Sequence, residues 1–165
     1  MDTIKLLLAE LEQEAQTTRK MLALIPFDKF DWAPHERSMK MKALATHIAE
    51  LPSWVTLALT TEGLDFAAEP YEPVPVKNTA DILDLFEKSY ADGKAHLMKA
   101  KESDLTDKWV LRNGDEIYAD MTKYETIRHA YSQIIHHRAQ LGVYLRLLNI
   151  PIPGSYGPSA DDAQF

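Results

Sequence analysis

The stretch TKYETIRHAYSQIIHHRAQLGVYLRLLNIP, Thr122 to Pro151, decides the fold. Ile127, Ala130, Ile134, Leu141, Leu145 and Leu148 recur at three-, four- and seven-residue steps, the spacing that gathers apolar side chains on one face of an α-helix. The opening TKYE is a capping box, in which Thr122 and Glu125 satisfy free backbone amides reciprocally. Asn149 and Pro151 stop the helix near Leu148. A helix this long with a single apolar face must bury that face against other elements.

Three more segments carry the same rhythm. Leu7, Leu8, Leu11, Ala15, Thr18, Leu22 and Ile25 predict a first helix, capped by Asp2 or Thr3 and ended before Pro26. A second starts near Ser38 and places Met41, Leu44, Ala45, Ile48 and Val55 on one side. Pro52 removes its bond to the carbonyl of Ile48, which predicts a kink. The segment AAEPYEPVPVKN, 67–78, has three prolines and reads as an extended loop. Thr79 then caps a third helix with Ile82, Phe86, Tyr90 and Leu97 on its stripe. Between the third and fourth helices, Asn113-Gly114 is a hairpin signal of the type I′ kind, flanked by WVL and EIY as short strands. The fold class is therefore all-α: a four-helix bundle over residues 1–150 with a small β-hairpin between helices three and four, followed by a tail, 151–165.

Bulk properties narrow the function classes. At 165 residues the chain can bury its own core, and its 45% hydrophobic and 26% charged residues are ordinary for a globular domain. A formal charge of −7 without a Lys/Arg cluster argues against nucleic acid as a partner. No cysteine is present, which excludes disulfides, thiolate nucleophiles on the chain and sulfur-ligated metals. The acidic start with its short apolar run reads as neither signal peptide nor membrane anchor, so the expected location is cytoplasmic with no membrane partner. Glu125 with Arg128, and Glu50 with Ser53, lack the histidine that a di-iron carboxylate site requires. No glycine-rich phosphate loop or nucleophile elbow is present either.

The adjacent His136 and His137 cannot face the same way, because a helix turns about 100° per residue. On that wheel His137 lies roughly 40° from the buried centre, Gln133 roughly 80° on the same flank, and His136 about 140° away. Gln133 and His137 stack one turn apart. On the second helix His47 lies about 90° from the apolar centre, placing it on a flank where it could meet the other two. Two imidazoles and a carboxamide oxygen converging inside a bundle suit a divalent ion such as zinc or nickel, with positions left open for water. An inward histidine bonded only to a neighbour fits the same spacing.

The segments LATHIAELPSW and IIHHRAQLGVYLRLLNIPIPGSYGPSADD, with WAPHERSM and the Trp109/NG hairpin, resemble the DinB/YfiT-like family of bacterial four-helix proteins over nearly the whole chain. That resemblance implies a homodimer and a divalent metal held by one histidine of helix two and an H-x3-H pair of helix four. Carried over, it makes His47 and His137 metal ligands and puts Gln133 where the family has its third histidine. It also implies a metal-dependent transferase or hydrolase, with related enzymes using a thiol, acting on a small molecule that the sequence does not identify. The alternative is a non-catalytic dimeric bundle or small-molecule binding module whose metal site Gln133 has degraded.

Other groups have plainer readings. Arg138 lies on the buried side of its helix and needs an ion-pair partner. Glu50 is expected as a solvated carboxylate on the far side of helix two, and Trp32, Trp54 and Trp109 as packing groups. Asp161 and Asp162 read as a disordered acidic end, and outward residues such as Tyr144 as dimer contacts.

Overall fold

The computed structural model describes residues 2–163. Among them lie five α-helices rather than the four expected: α1 (Thr3–Leu22), α2 (Met41–Glu50), α3 (Ser53–Thr60), α4 (Thr79–Lys99) and α5 (Lys123–Leu147). The difference is Pro52. Its missing N–H does more than kink the predicted second helix; α2 stops at Glu50 and α3 restarts at Ser53. Gly93 of α4 sits against this break, and a Cβ there would come within 2.5 Å of the Pro52 carbonyl oxygen. α4 packs on α1 and on α2 and α3, and α5 packs on the same three.

The ends of the helices follow local chemistry. Asp2 caps α1 by accepting from the Lys5 amide at 3.1 Å. The capping box of α5 is present, with Thr122 and Glu125 bonded both ways. For α4 the cap is Asn78, whose side-chain oxygen takes the Asp81 amide at 2.9 Å, and not Thr79 as expected. Thr79 is already the first helical residue, and its hydroxyl donates instead to the Ile25 carbonyl at 2.7 Å. Asn149, at φ 60°, ends α5 in the left-handed region.

The hairpin forms where predicted, as β2 (Lys108–Asn113) and β3 (Glu116–Thr122). Its register pairs Asn113 with Glu116, so Gly114 and Asp115 are the central turn residues. Only Gly114 has positive φ, the type II′ arrangement with glycine first, in place of the expected type I′. A third strand, β1 (Gly63–Asp65), joins β2 in parallel with Gly63 opposite Val110. No periodic signal marked those three residues.

The core is built by the predicted stripes. Ile127, Ala130, Ile134, Leu141 and Leu145 of α5 are buried, with Leu7, Leu11 and Leu22 of α1 and Ile82, Phe86 and Leu97 of α4. Trp109 is wholly buried, and Trp32 packs edge-on to Tyr144 at 5.6 Å. Tyr144 is itself buried, its hydroxyl donating to the Met39 carbonyl at 3.0 Å, so it is no outward residue. Val143 and Leu147 hold that exposed face instead. The segment after α5 is tied down rather than free: the guanidinium of Arg146 pairs with the carboxylate of Asp161, which also accepts the Ile152 amide at 3.0 Å. Among the described residues no helix is long and apolar enough to cross a membrane.

Candidate functional site

α5 is fixed about its own axis by Arg138. Its guanidinium is buried, sits 2.6 Å from a carboxylate oxygen of Glu14, and donates to the Glu14 carbonyl at 3.2 Å and the Thr18 hydroxyl at 3.1 Å. Tyr156 completes this group by donating to Glu14 Oε1 at 2.6 Å. With Arg138 committed to α1, the preceding residue is turned about 100° away, and His137 faces α2. There its ring meets that of His47, edge to face, with centroids 4.7 Å apart. His136 is exposed, as the wheel places it, although its ring lies 4.9 Å from that of His137. His129 is exposed too.

The two facing imidazoles share an electrostatic character. Burial pushes the pKa of His47 below the ordinary histidine value of 6.5, helped by the nearby His137. Burial also lowers that of His137, against a hydrogen bond to Gln140 that favours its charged form. That bond, 2.8 Å from Nδ1 to the Gln140 carboxamide oxygen, places the ring hydrogen on Nδ1. Nε2 then carries a free lone pair, the arrangement in which an outer hydrogen bond orients a metal-ligating histidine. An ion bonded at about 2.1 Å to one nitrogen of each ring would set the centroids about 5 Å apart, and the two rings, edge to face, lie 4.7 Å apart. Gln133 stands one turn before His137, half-buried, with its carboxamide nitrogen 3.4 Å from His129 Nε2. Among the described residues no three His, Cys, Asp or Glu side chains gather to hold an ion; what the expected site offers is the facing pair His47 and His137.

These shifts have a measurable consequence for the metal-free protein. Just below pH 6.5 the unfolded chain takes up protons that the fold resists, so stability falls as pH drops from about 6.5 until it passes the lowered folded values. Urea unfolding with chelator present, at pH 7.5 and 5.5, should show this slope, and the double variant His47→Asn/His137→Asn should flatten it. An unchanged slope would show that these rings are not held neutral.

Beside His47 opens a cleft of about 670 Å³ between α3, α4 and the loop after β1. Glu50 and Trp54 line it, so Glu50 is not the solvated far-side carboxylate expected and Trp54 is not only a packing group. The Glu50 carboxylate accepts the Tyr71 hydroxyl at 2.7 Å. Burial and that bond push the Tyr71 phenol up to about 12, so it remains a donor. Tyr71 belongs to the proline-rich loop and carries no sequence signal for this contact. The i, i+3 spacing of His47 and Glu50 was the only available hint. A smaller cavity of about 270 Å³ shares His47 and Tyr71 with the first.

The profile of the DinB family matches residues 1–164. Among curated proteins none matches. Several solved structures share the fold. A DinB-like protein from Bacillus subtilis superposes with a TM-score of 0.70 at 17% identity, covering 90% of this chain and 96% of its own. A protein assigned to the DinB family from Exiguobacterium sibiricum has a TM-score of 0.70 at 24% identity, covering 93% and 97%. A mycothiol-dependent maleylpyruvate isomerase has a TM-score of 0.57 at 14% identity, covering 84% of this chain and 60% of its own. At these identities the likeness is one of fold.

Proposed function

This chain belongs to the DinB family, and from that premise we propose that it is a divalent-metal-dependent transferase or hydrolase acting on a small molecule. His47 and His137 hold a zinc or nickel ion, with Gln133 or water completing the shell. The observation that carries this reading is the pair of facing imidazoles, both with pKa lowered by burial and one of them bonded to Gln140. A bound ion would supply the Lewis acidity that lowers the pKa of water or of a thiol cosubstrate. A thiol is included because one protein of this fold is a mycothiol-dependent isomerase. The chain's own contribution is positional: Arg138 sets the rotation of α5, Gln140 fixes the His137 tautomer, and the Tyr71–Glu50 contact lines the cleft beside His47. The protein works as a cytoplasmic homodimer in this reading, which light scattering would test for the dimer.

A second reading is favoured by one observation, the carboxamide of Gln133 lying beside His129. In it the chain is a dimeric scaffold or small-molecule binding module without metal. Elemental analysis of protein purified without added metal or a nickel column separates the two. About one zinc or nickel per chain, lost in His137→Ala, is the expected result. Gln133→His should tighten zinc binding about tenfold or more by replacing an amide oxygen with imidazole. Metal-free protein that stays folded in chelator, with no gain in the Gln133→His variant, would overturn the metal reading and leave the second.

A further inference from the structure

The facing imidazoles make an incomplete shell. Catalytic zinc sites keep three protein ligands and an open position for water, two histidines with a glutamate being one such set. Here His47 and His137 face each other, and among the described residues no third His, Cys, Asp or Glu side chain closes on them. Gln133 stands where the family resemblance places the third ligand, but its carboxamide nitrogen lies 3.4 Å from Nε2 of the exposed His129.

A carboxylate is held nearby. Glu50 follows His47 by three residues on α2, a spacing that sets the two Cβ atoms about 5–6 Å apart on the helix surface. Both side chains line the large cleft, with Trp54 and Leu57 beside them. Among the described residues no lysine or arginine pairs with Glu50, and the one partner of its carboxylate is the Tyr71 hydroxyl at 2.7 Å.

Tyr71 can release that carboxylate without unfolding the chain. Its ring is 58% exposed, and among the described residues positions 70–76 make no other hydrogen bond. Val76, which is buried, anchors the segment instead. Burial and the Glu50 bond push the phenol up to about 12, so it holds Glu50 as a neutral donor.

We propose that Glu50 is the third ligand of the ion held by His47 and His137, and that Tyr71 keeps it in reserve until the ion draws the carboxylate away from the phenol. This deepens the proposed function by naming what completes and what restrains the same site, and it rests on that reading for the presence of an ion. The exchange moves no proton, since the phenol keeps its hydrogen. The two residues therefore act on affinity in opposite directions: Glu50 supplies a bond to the ion, and Tyr71 competes with the ion for the same carboxylate.

Zinc affinity of the full-length protein, measured by competition with a chromophoric chelator, tests the proposal. Glu50→Gln should weaken zinc binding about tenfold or more. Its carboxamide oxygen still accepts from Tyr71, so the fold is preserved, which urea unfolding checks. Tyr71→Phe should tighten binding severalfold by removing the competitor. Glu50→Gln/Tyr71→Phe should bind no better than Glu50→Gln alone, because no carboxylate is left to withhold. With cobalt(II) as the probe, the visible bands of the parent should change in Glu50→Gln and persist in Tyr71→Phe. Zinc affinity unchanged in Glu50→Gln, or weakened in Tyr71→Phe, would overturn the proposal. The two failures are distinct: zinc lost in His137→Ala but indifferent to Glu50 leaves the two-histidine site standing without this ligand, whereas a parent protein that takes up no zinc overturns both.

Discussion

Replacing Arg138 with alanine is expected to destabilise the protein by about 3–5 kcal/mol, the cost of leaving a buried charge without its partner. For a chain of this size that corresponds to a fall of roughly 6–20 °C in Tm. Arg138 is 4% exposed and Glu14 is 5% exposed, so neither charge can relax into water. Removal of the guanidinium strips Glu14 of its 2.6 Å contact and the Thr18 hydroxyl of its 3.1 Å donor, leaving Tyr156 as the remaining donor to the carboxylate. The pair itself need not add net stability, because a well-packed apolar replacement of both residues can match it. Arg138→Met/Glu14→Met should therefore recover most of what Arg138→Ala loses. Urea unfolding followed by circular dichroism decides the matter. A loss under about 1 kcal/mol for Arg138→Ala would mean that the pair is solvated and does not set the rotation of α5.

Trp109→Ala is the second large effect, expected at about 3–5 kcal/mol for emptying a fully buried indole site. Trp109 is 0% exposed. Its N–H donates to the Thr61 hydroxyl at 3.0 Å, and its ring lies 6.1 Å from that of Trp54. The side chain thus joins β2 to α3 and backs the aromatic wall of the cleft. A purely structural residue would affect stability alone. Here the position of Trp54 should shift as well, so Trp109→Phe, which keeps most of the volume but loses the N–H bond, is expected to remain folded with altered Trp54 fluorescence. An alanine variant within 1 kcal/mol of the parent would show that the sheet is not anchored through this contact.

Much of the fold was legible because it depends on local periodicity. The stripes of α1, α4 and α5, the Thr122–Glu125 box and the stop at Asn149 all follow from interactions within one or two turns. The inward turn of His137 was legible for the same reason, since the angle between neighbouring residues in a helix is fixed. That His47 would meet it depended on which helices are neighbours, and the family resemblance supplied what spacing left open. The errors fall where local signals compete or vanish. Asn78 and Thr79 are both good caps, and only the reach of Thr79 to Ile25 decides between them. The Asn113-Gly114 dipeptide fits a turn in two registers, and cross-strand pairing selected the later one. Glu50, Tyr71 and Trp54 came together through a loop whose path no pattern encodes, so the larger part of the cleft was invisible in the sequence. The tail was misread for a similar reason: a pair of aspartates looks solvated until Arg146 is found beside Asp161.

The parallel pairing of Gly63–Asp65 with β2 has a kinetic side. The hairpin of β2 and β3 closes across two turn residues, whereas Gly63 must find Val110 across the whole of α4. Closing the longer loop costs more entropy before any ladder bond rewards it. Pairing of the third strand is therefore expected to follow closure of the hairpin, which makes Gly63–Asp65 the late-joining edge of the sheet.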